Sequence, residues 1–130
     1  MEAIFSMTWD VEYTDAFLAW WEGLREAERE SIDAAIDLLE EAGPHLRFPH
    51  STRIIGSQVG NLRELRIQHR GRPYRVLYAF DRRRVAVLLL GGDKTGHDRW
   101  YEQSVPRAEI LYRLHLVQLE QGETSDGKKI

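Results

Sequence analysis

Arg66, His69, Arg75, Lys94, Arg99 and Tyr101 fall in one stretch of the 130-residue chain, Leu62 to Tyr101, and no dedicated nucleophile accompanies them. The chain has no cysteine, and none of its serines lies in a nucleophile elbow, which removes the common hydrolase template. One reaction suits cations and proton carriers without a protein nucleophile. RNA brings its own, the 2′-hydroxyl, so cleavage requires only that this group lose its proton, that charge building on phosphorus be neutralised, and that the leaving 5′-oxygen gain a proton. Arginines and a lysine neutralise charge through charge-assisted hydrogen bonds. A Tyr, Lys or His supplies proton transfer, although Tyr and Lys act as bases near neutrality only when their pKa values are strongly lowered. Each residue also has a plain structural role open to it: Arg75 pairing with Asp81 or Glu64, Lys94 capping a turn, Tyr101 packing in the core.

Other chemistry is poorly served. GGDKTG invites comparison with a phosphate-binding loop, but the Walker pattern sets four residues between its first glycine and the Gly-Lys-Ser/Thr unit, and here the lysine precedes the second glycine. His45, His50, His69, His97 and His115 keep no recognised metal-ligand spacing and have no cysteine beside them, so neither a metal nor a cofactor is expected. The acidic residues of the first half carry no mark of burial and receive no catalytic role.

Charge is segregated along the chain. Residues 1–50 hold three Lys or Arg against twelve Asp or Glu, residues 51–101 hold eleven against four, and residues 102–130 hold four against five, within a net charge of −3. Clustering of this kind favours a local face for polyanions, because field and counterion release follow local rather than total charge. The plainer alternative is mutual neutralisation of acidic and basic segments inside the fold. With 42% hydrophobic and 30% charged residues, the composition is that of a globular protein. The longest apolar run, Val85 to Leu90, is far short of the roughly 20 residues of a spanning helix. No membrane partner is expected, the acidic N-terminus lacks the pattern of a secretory signal, and the absence of cysteine fits the cytoplasm.

Positioning these residues requires a sheet. Alternation from Ile4 to Val11, with Phe5, Met7, Trp9 and Val11 on one side, predicts a first strand. Thr14 or Asp15 caps a short helix with Phe17, Trp20, Trp21 and Leu24 on one face, where the tryptophans read as packing rather than base-stacking residues. A second helix runs from Glu26 to Ala42, with Ile32, Ala35, Ile36 and Leu39 inward and Glu26, Glu30, Asp33, Asp37 and Glu40 outward, and Gly43-Pro44 ends it. His45 to Gly60 reads as loop, with a short edge strand around Thr52 to Ile55. Strands follow at Leu62–Gln68, Tyr74–Phe80 and Arg84–Leu90, joined by a Gly71-Arg72-Pro73 turn and a tight Asp81-Arg82-Arg83 link. The last is apolar on both faces and is therefore placed centrally. A final helix starts near Asp98, meets Pro106, and carries Ala108, Leu111, Tyr112, His115 and Leu119 on one face. One α+β domain is expected over residues 1–121, in the order β-α-α-β-β-β-α with the two N-terminal helices packed on a small, twisted, mainly antiparallel sheet, and residues 122–130 form a polar tail.

The segment ELRIQHRGRPYRVLYAF followed by LLGGDKTGHDRWYE resembles the phage-derived branch of the RelE/ParE superfamily, the HigB-like toxins of bacterial toxin–antitoxin pairs. The similarity runs over roughly residues 9 to 119 and includes WWEGL, LLEEAGPHLRFP and GGDKTG. It implies a RelE-like fold and metal-independent, ribosome-dependent mRNA cleavage by an endoribonuclease. It implies as partners a cognate antitoxin of helix-turn-helix type, the ribosome and mRNA. Position by position, the resemblance puts catalytic roles on Arg75, Arg66, Lys94 and Tyr101, and substrate contacts on Arg63, His69, Arg70 and Arg99. Relatives often carry lysines where this chain has Glu64 and Gln68, so its first long strand is less basic than theirs. Two other functions share the fold: a non-enzymatic inhibitor of DNA gyrase of the ParE kind, and a domesticated, non-toxic binding protein.

Overall fold

The computed structural model describes residues 8–122 and the backbone of residues 127–128. Strand β1 (Val11–Tyr13) leads into helix α1 (Asp15–Glu22) and helix α2 (Glu26–Ala42), and a 3₁₀ turn (Gly43–His45) follows. Strands β2 (Ser51–Arg53), β3 (Arg63–His69), β4 (Arg72–Phe80) and β5 (Ala86–Asp93) come next, then helix α3 (Trp100–Glu120) and the two-residue β6 (Gly127–Lys128). The sheet order is β2-β3-β4-β5-β1-β6, with every pair antiparallel except β1 with β5. The expected α+β order and the central position of β5 both hold, and the short edge strand expected around Thr52 to Ile55 is β2 at Ser51–Arg53.

Four local expectations need correction, the first being the last long strand, which runs Ala86–Asp93 rather than Arg84–Leu90 because Arg84 takes a positive φ of 66° in the link before it. Of the first strand expected over Ile4–Val11, residues 4–7 lie outside the described residues, and within the described ones the strand is Val11–Tyr13, Trp9 donating its backbone N–H to Glu40 O at the end of α2 rather than to a ladder. The β3–β4 turn is Arg70-Gly71, both at positive φ (50° and 79°), one residue earlier than expected. Two left-handed residues make the turn whose twist matches a two-residue hairpin, and Arg72 and Pro73 already pair with His69 and Gln68. Helix α3 starts at Trp100 rather than Asp98 and runs unbroken past Pro106.

Both N-terminal helices form for local reasons. Thr14 caps α1, its hydroxyl accepting from Phe17 N (3.1 Å) and donating to Leu89 O (2.7 Å), so one side chain ends the strand, starts the helix and ties both to β5. In α2, the Glu28 carboxylate accepts from Arg25 N at 2.7 Å, satisfying a donor the helix leaves orphaned. Ile32, Ile36 and Leu39 of α2 are buried with Phe17, Leu65, Tyr74, Val76 and Tyr78 beneath one face of the sheet. The other face packs Leu62, Leu77, Ala79, Val87 and Leu89 under Trp100, Ala108 and Tyr112 of α3. Full burial of one such side chain contributes about 1.5–3 kcal/mol, so both layers are firmly held.

Gly91 and Gly92 let the helices reach the sheet. A Cβ at Gly91 would lie 2.2 Å from the Trp20 ring of α1, and one at Gly92 2.4 Å from the Trp100 indole nitrogen of α3, distances no side chain could occupy. Trp20 and Trp21 are packing residues, as their spacing indicates. Because Gly92 is also the ladder partner of Arg75, Trp100 fixes the start of α3 beside that arginine. Exposed Ile110, Leu114 and Val117 lie on the outer side of α3.

Candidate active site

Strand parity decides which candidates meet. Side chains alternate across a sheet, so on β3 the even positions Glu64 and Arg66 face α3 while Arg63 and His69 face α2. Register sets Arg66 directly opposite Arg75. Like charges in that relation repel, and the arrangement therefore calls for an anion between them. Glu64 supplies it.

The Glu64 carboxylate is buried, with 7% of its side chain exposed, and accepts three side-chain hydrogen bonds while pairing with Arg75. Oε1 accepts the Tyr101 hydroxyl at 2.6 Å and lies 3.4 Å from Arg75 Nε. Oε2 accepts the Thr52 hydroxyl at 2.6 Å and Arg66 Nη1 at 3.3 Å. Arg75, 7% exposed in its side chain, also donates Nε to the Tyr101 hydroxyl at 3.3 Å and Nη1 to Tyr74 O at 2.9 Å. Lys94 follows β5, and its ammonium stands 5.6 Å from the centre of the Tyr101 ring. All four residues named as catalytic, Arg66, Arg75, Lys94 and Tyr101, thus gather on the α3 face around a glutamate.

Burial pushes the Tyr101 phenol above its ordinary pKa of 10, and the Glu64 carboxylate beside it pushes the same way against the opposing pull of Arg75. The phenol is therefore protonated at neutral pH. It can donate a proton or a hydrogen bond but cannot serve as a resting base. Glu64, with three hydrogen-bond donors and the Arg75 ion pair on its two oxygens, is an anchor for Arg75 and Tyr101 rather than an open acceptor.

Beside the arginines a cleft of about 200 Å³ is lined by Phe48, Pro49, Arg66, Gln68 and Arg75. Arg66 lies over the Phe48 ring, 5.6 Å from its centre, and Phe48 is 71% exposed. On the other side of Tyr101 a wider groove runs between Ile54 and Ile55 and the Val105-Pro106 turn of α3.

The four residues named for substrate contact stand apart from this cluster. Arg63 donates to Ser51 Oγ (3.1 Å) and Leu46 O (3.2 Å), pinning the loop after α2. His69 Nδ1 is 2.7 Å from Ser31 Oγ, and its ring meets Tyr74 edge-on under α2. Arg70 is exposed at the hairpin tip, and Arg99 is exposed and paired with Glu102 at 3.4 Å. Conversely, Glu64 and Phe48 were not among the sequence candidates. Glu64 has a sequence signal, an acid two positions before Arg66 on a strand, which parity puts on the same face; Phe48 has none in its irregular loop. Among the described residues no group of three or more His, Asp or Glu is placed to hold a metal ion, and no helix is long and apolar enough to cross a membrane.

Residues 19–113 match the family described as Phage derived protein Gp49-like. The chain is 43% identical over 91 residues to the protein named as toxin HigB3 of Mycobacterium tuberculosis (strain ATCC 25618 / H37Rv), an alignment covering 69% of this chain and 78% of that protein. It is 35% identical over 126 residues to the protein named as toxin HigB2 of the same strain, covering 95% of this chain but 62% of HigB2, so it spans less than two thirds of that relative. A solved structure of a mutant of the E. coli toxin RelE in the free state superposes with a TM-score of 0.57 over 78% of this chain and 98% of RelE, at 19% identity, which establishes the shared RelE-like fold. By these matches the chain belongs to the Gp49-like, phage-derived family of RelE-fold proteins, the family of HigB-type toxins.

Proposed function

We propose that this protein is the toxin of a toxin–antitoxin pair and acts in the cytoplasm as a metal-independent endoribonuclease on mRNA engaged by the ribosome, held inactive by a cognate helix-turn-helix antitoxin. The observation that carries the reading is the meeting of Arg66, Arg75, Lys94 and Tyr101 around Glu64 on one face of the sheet. The 2′-hydroxyl attacks the adjacent phosphate, its proton leaving to solvent. Arg75 and Arg66 neutralise the charge gathering on the phosphate oxygens, with Lys94 beside them. Tyr101, kept protonated by burial and by Glu64, turns its hydroxyl from the carboxylate to the leaving 5′-oxygen and protonates it. The products carry a 2′,3′-cyclic phosphate and a 5′-hydroxyl. Glu64 positions the two groups that touch substrate.

The test is inducible expression in bacteria with mRNA 5′ ends mapped within minutes. New ends in frame within translated codons are expected for the wild type, and Arg75→Ala reduces them on the order of 10²- to 10³-fold, the usual cost of removing a preorganised donor. Growth arrest without new ends would transfer the weight to gyrase inhibition, and no arrest to a binding protein that has lost toxicity.

A further inference from the structure

The cleft beside the arginine pair contains a feature the cleavage chemistry does not use. Phe48 is a large apolar ring exposed to 71% in the loop between α2 and β2, and nothing in the core needs it there. Its neighbours are polar: Arg66 covers one side of the ring, Arg75 and Gln68 line the same cleft, and Pro49 closes its edge. A ring that presents a face to solvent within reach of two phosphate-binding guanidiniums has the make-up of sites that hold single-stranded nucleic acid, where cations track the backbone and aromatic faces take the bases.

The geometry points to Phe48 as a stacking platform for a nucleobase next to the scissile phosphate, with the phosphate on Arg66 and Arg75 and the Gln68 amide at the base edge. This rests on the nuclease reading and deepens it by naming a substrate-binding residue. Arg66 links the two halves: it bonds Glu64 with Nη1 and lies over Phe48 with its guanidinium carbon 5.6 Å from the ring centre. Stacking is indifferent to base identity, so the platform supplies affinity and alignment, and any preference arises from the amide edge of Gln68.

The experiment compares cleavage of ribosome-bound mRNA by the wild type, Phe48→Ala, Phe48→Leu, Phe48→Tyr and Phe48→Trp, with thermal melts of each. Because Phe48 is exposed, all five are expected to melt alike. Removing one base–aromatic stack is expected to lower cleavage by Phe48→Ala about 5- to 150-fold, chiefly through weaker substrate binding, with Phe48→Leu equally impaired and Phe48→Tyr and Phe48→Trp near wild type. Phe48→Leu or Phe48→Ala cutting as well as the wild type overturns the proposal. If that unchanged cutting comes with lost neutralisation by the antitoxin, the ring belongs to a protein interface instead. A wild type that yields no cleavage on ribosomes overturns the nuclease reading itself, and the stacking platform falls with it, a result distinct from the selective failure of Phe48 variants.

Discussion

On the α2 face Tyr74 donates its hydroxyl to Glu28, and on the α3 face Tyr101 donates its hydroxyl to Glu64. Both phenols are pushed up, first by burial and then by the neighbouring carboxylate, so chemically the two pairs begin alike. What separates them is what else the carboxylate holds. Glu28 also takes Arg25, by its backbone N–H and by its guanidinium at 3.7 Å, at the start of α2, and its own pKa is lowered first by the Tyr74 hydroxyl and then by that backbone donor. Glu64 instead stands between two arginines on adjacent strands. The first pair closes a helix onto a sheet and lines a cleft with His69, Arg70 and Arg72; the second binds two arginines of adjacent strands and a proton donor to one carboxylate. A buried tyrosine–glutamate bond is therefore no mark of a site by itself, and the partners on the carboxylate's second oxygen decide its use.

The largest break in this comparison is expected from Glu64→Ala. Without the carboxylate, Arg66 and Arg75 repel and Tyr101 loses its anchor, and cleavage measured on ribosomes should fall on the order of 10- to 150-fold, the kinetic equivalent of about 1.5–3 kcal/mol for bonds to a charged group. Glu28→Ala should leave cleavage per folded molecule unchanged and lower the thermal midpoint. Equal loss of cleavage in both variants would dissolve the distinction between the faces.

The two glycines offer a matched pair. Gly92→Val drives a side chain into Trp100, and Gly91→Val one into Trp20. Overpacking of this kind costs about 1–3 kcal/mol, and calorimetry should find both variants similarly destabilised. Cleavage should fall well beyond that shared loss only for Gly92→Val, because Trp100 sets the position of the adjacent Tyr101.

A smaller effect concerns acid stability away from both pairs. Asp81 sits at the β4–β5 link with Arg83 at 2.7 Å and His115 at 2.9 Å, and Arg83 also reaches Glu12 at 2.9 Å. Burial alone would push its carboxyl up, but hydrogen bonds from Arg83, His115 and the Val85 backbone outweigh it, and the pKa is lowered from the ordinary 3.8. A carboxylate depressed on folding contributes stability that is complete above its unfolded value and lost as pH falls through the folded one. Denaturant midpoints should therefore drop between pH 5 and strong acid by less in Asp81→Asn than in the wild type, while the Asn variant is weaker at neutral pH.

Much of this organisation could be read directly. The span of α2 was legible because Gly43-Pro44 stops it and its apolar positions keep one period, and β5 was legible as central because both of its faces are apolar. The β3–β4 turn was set one residue late because Pro73 looked like a breaker. In the fold Pro73 accepts from Lys94 N at 3.0 Å and its missing N–H falls at the end of the β5 ladder. The cluster of Arg66, Arg75, Lys94 and Tyr101, catalytic in the proposed function, was nameable from residue type and resemblance, but which cations share a face depends on strand register. Register moved Arg63 and His69 to the opposite side and brought Glu64 in. Charge counting along a segment cannot see that division, since it sums both faces of the sheet.

The parallel pairing of β1 with β5 bears on timing. Thr14 reaches Leu89 across 75 positions of sequence, whereas the β3–β4–β5 meander closes through short links, and local contacts form ahead of distant ones. Tyr101 arrives with α3, after every strand that carries the arginines. Arg66, Arg75 and Glu64 therefore precede the phenol in the chain, and the proposed site is complete only once α3 has docked on the sheet.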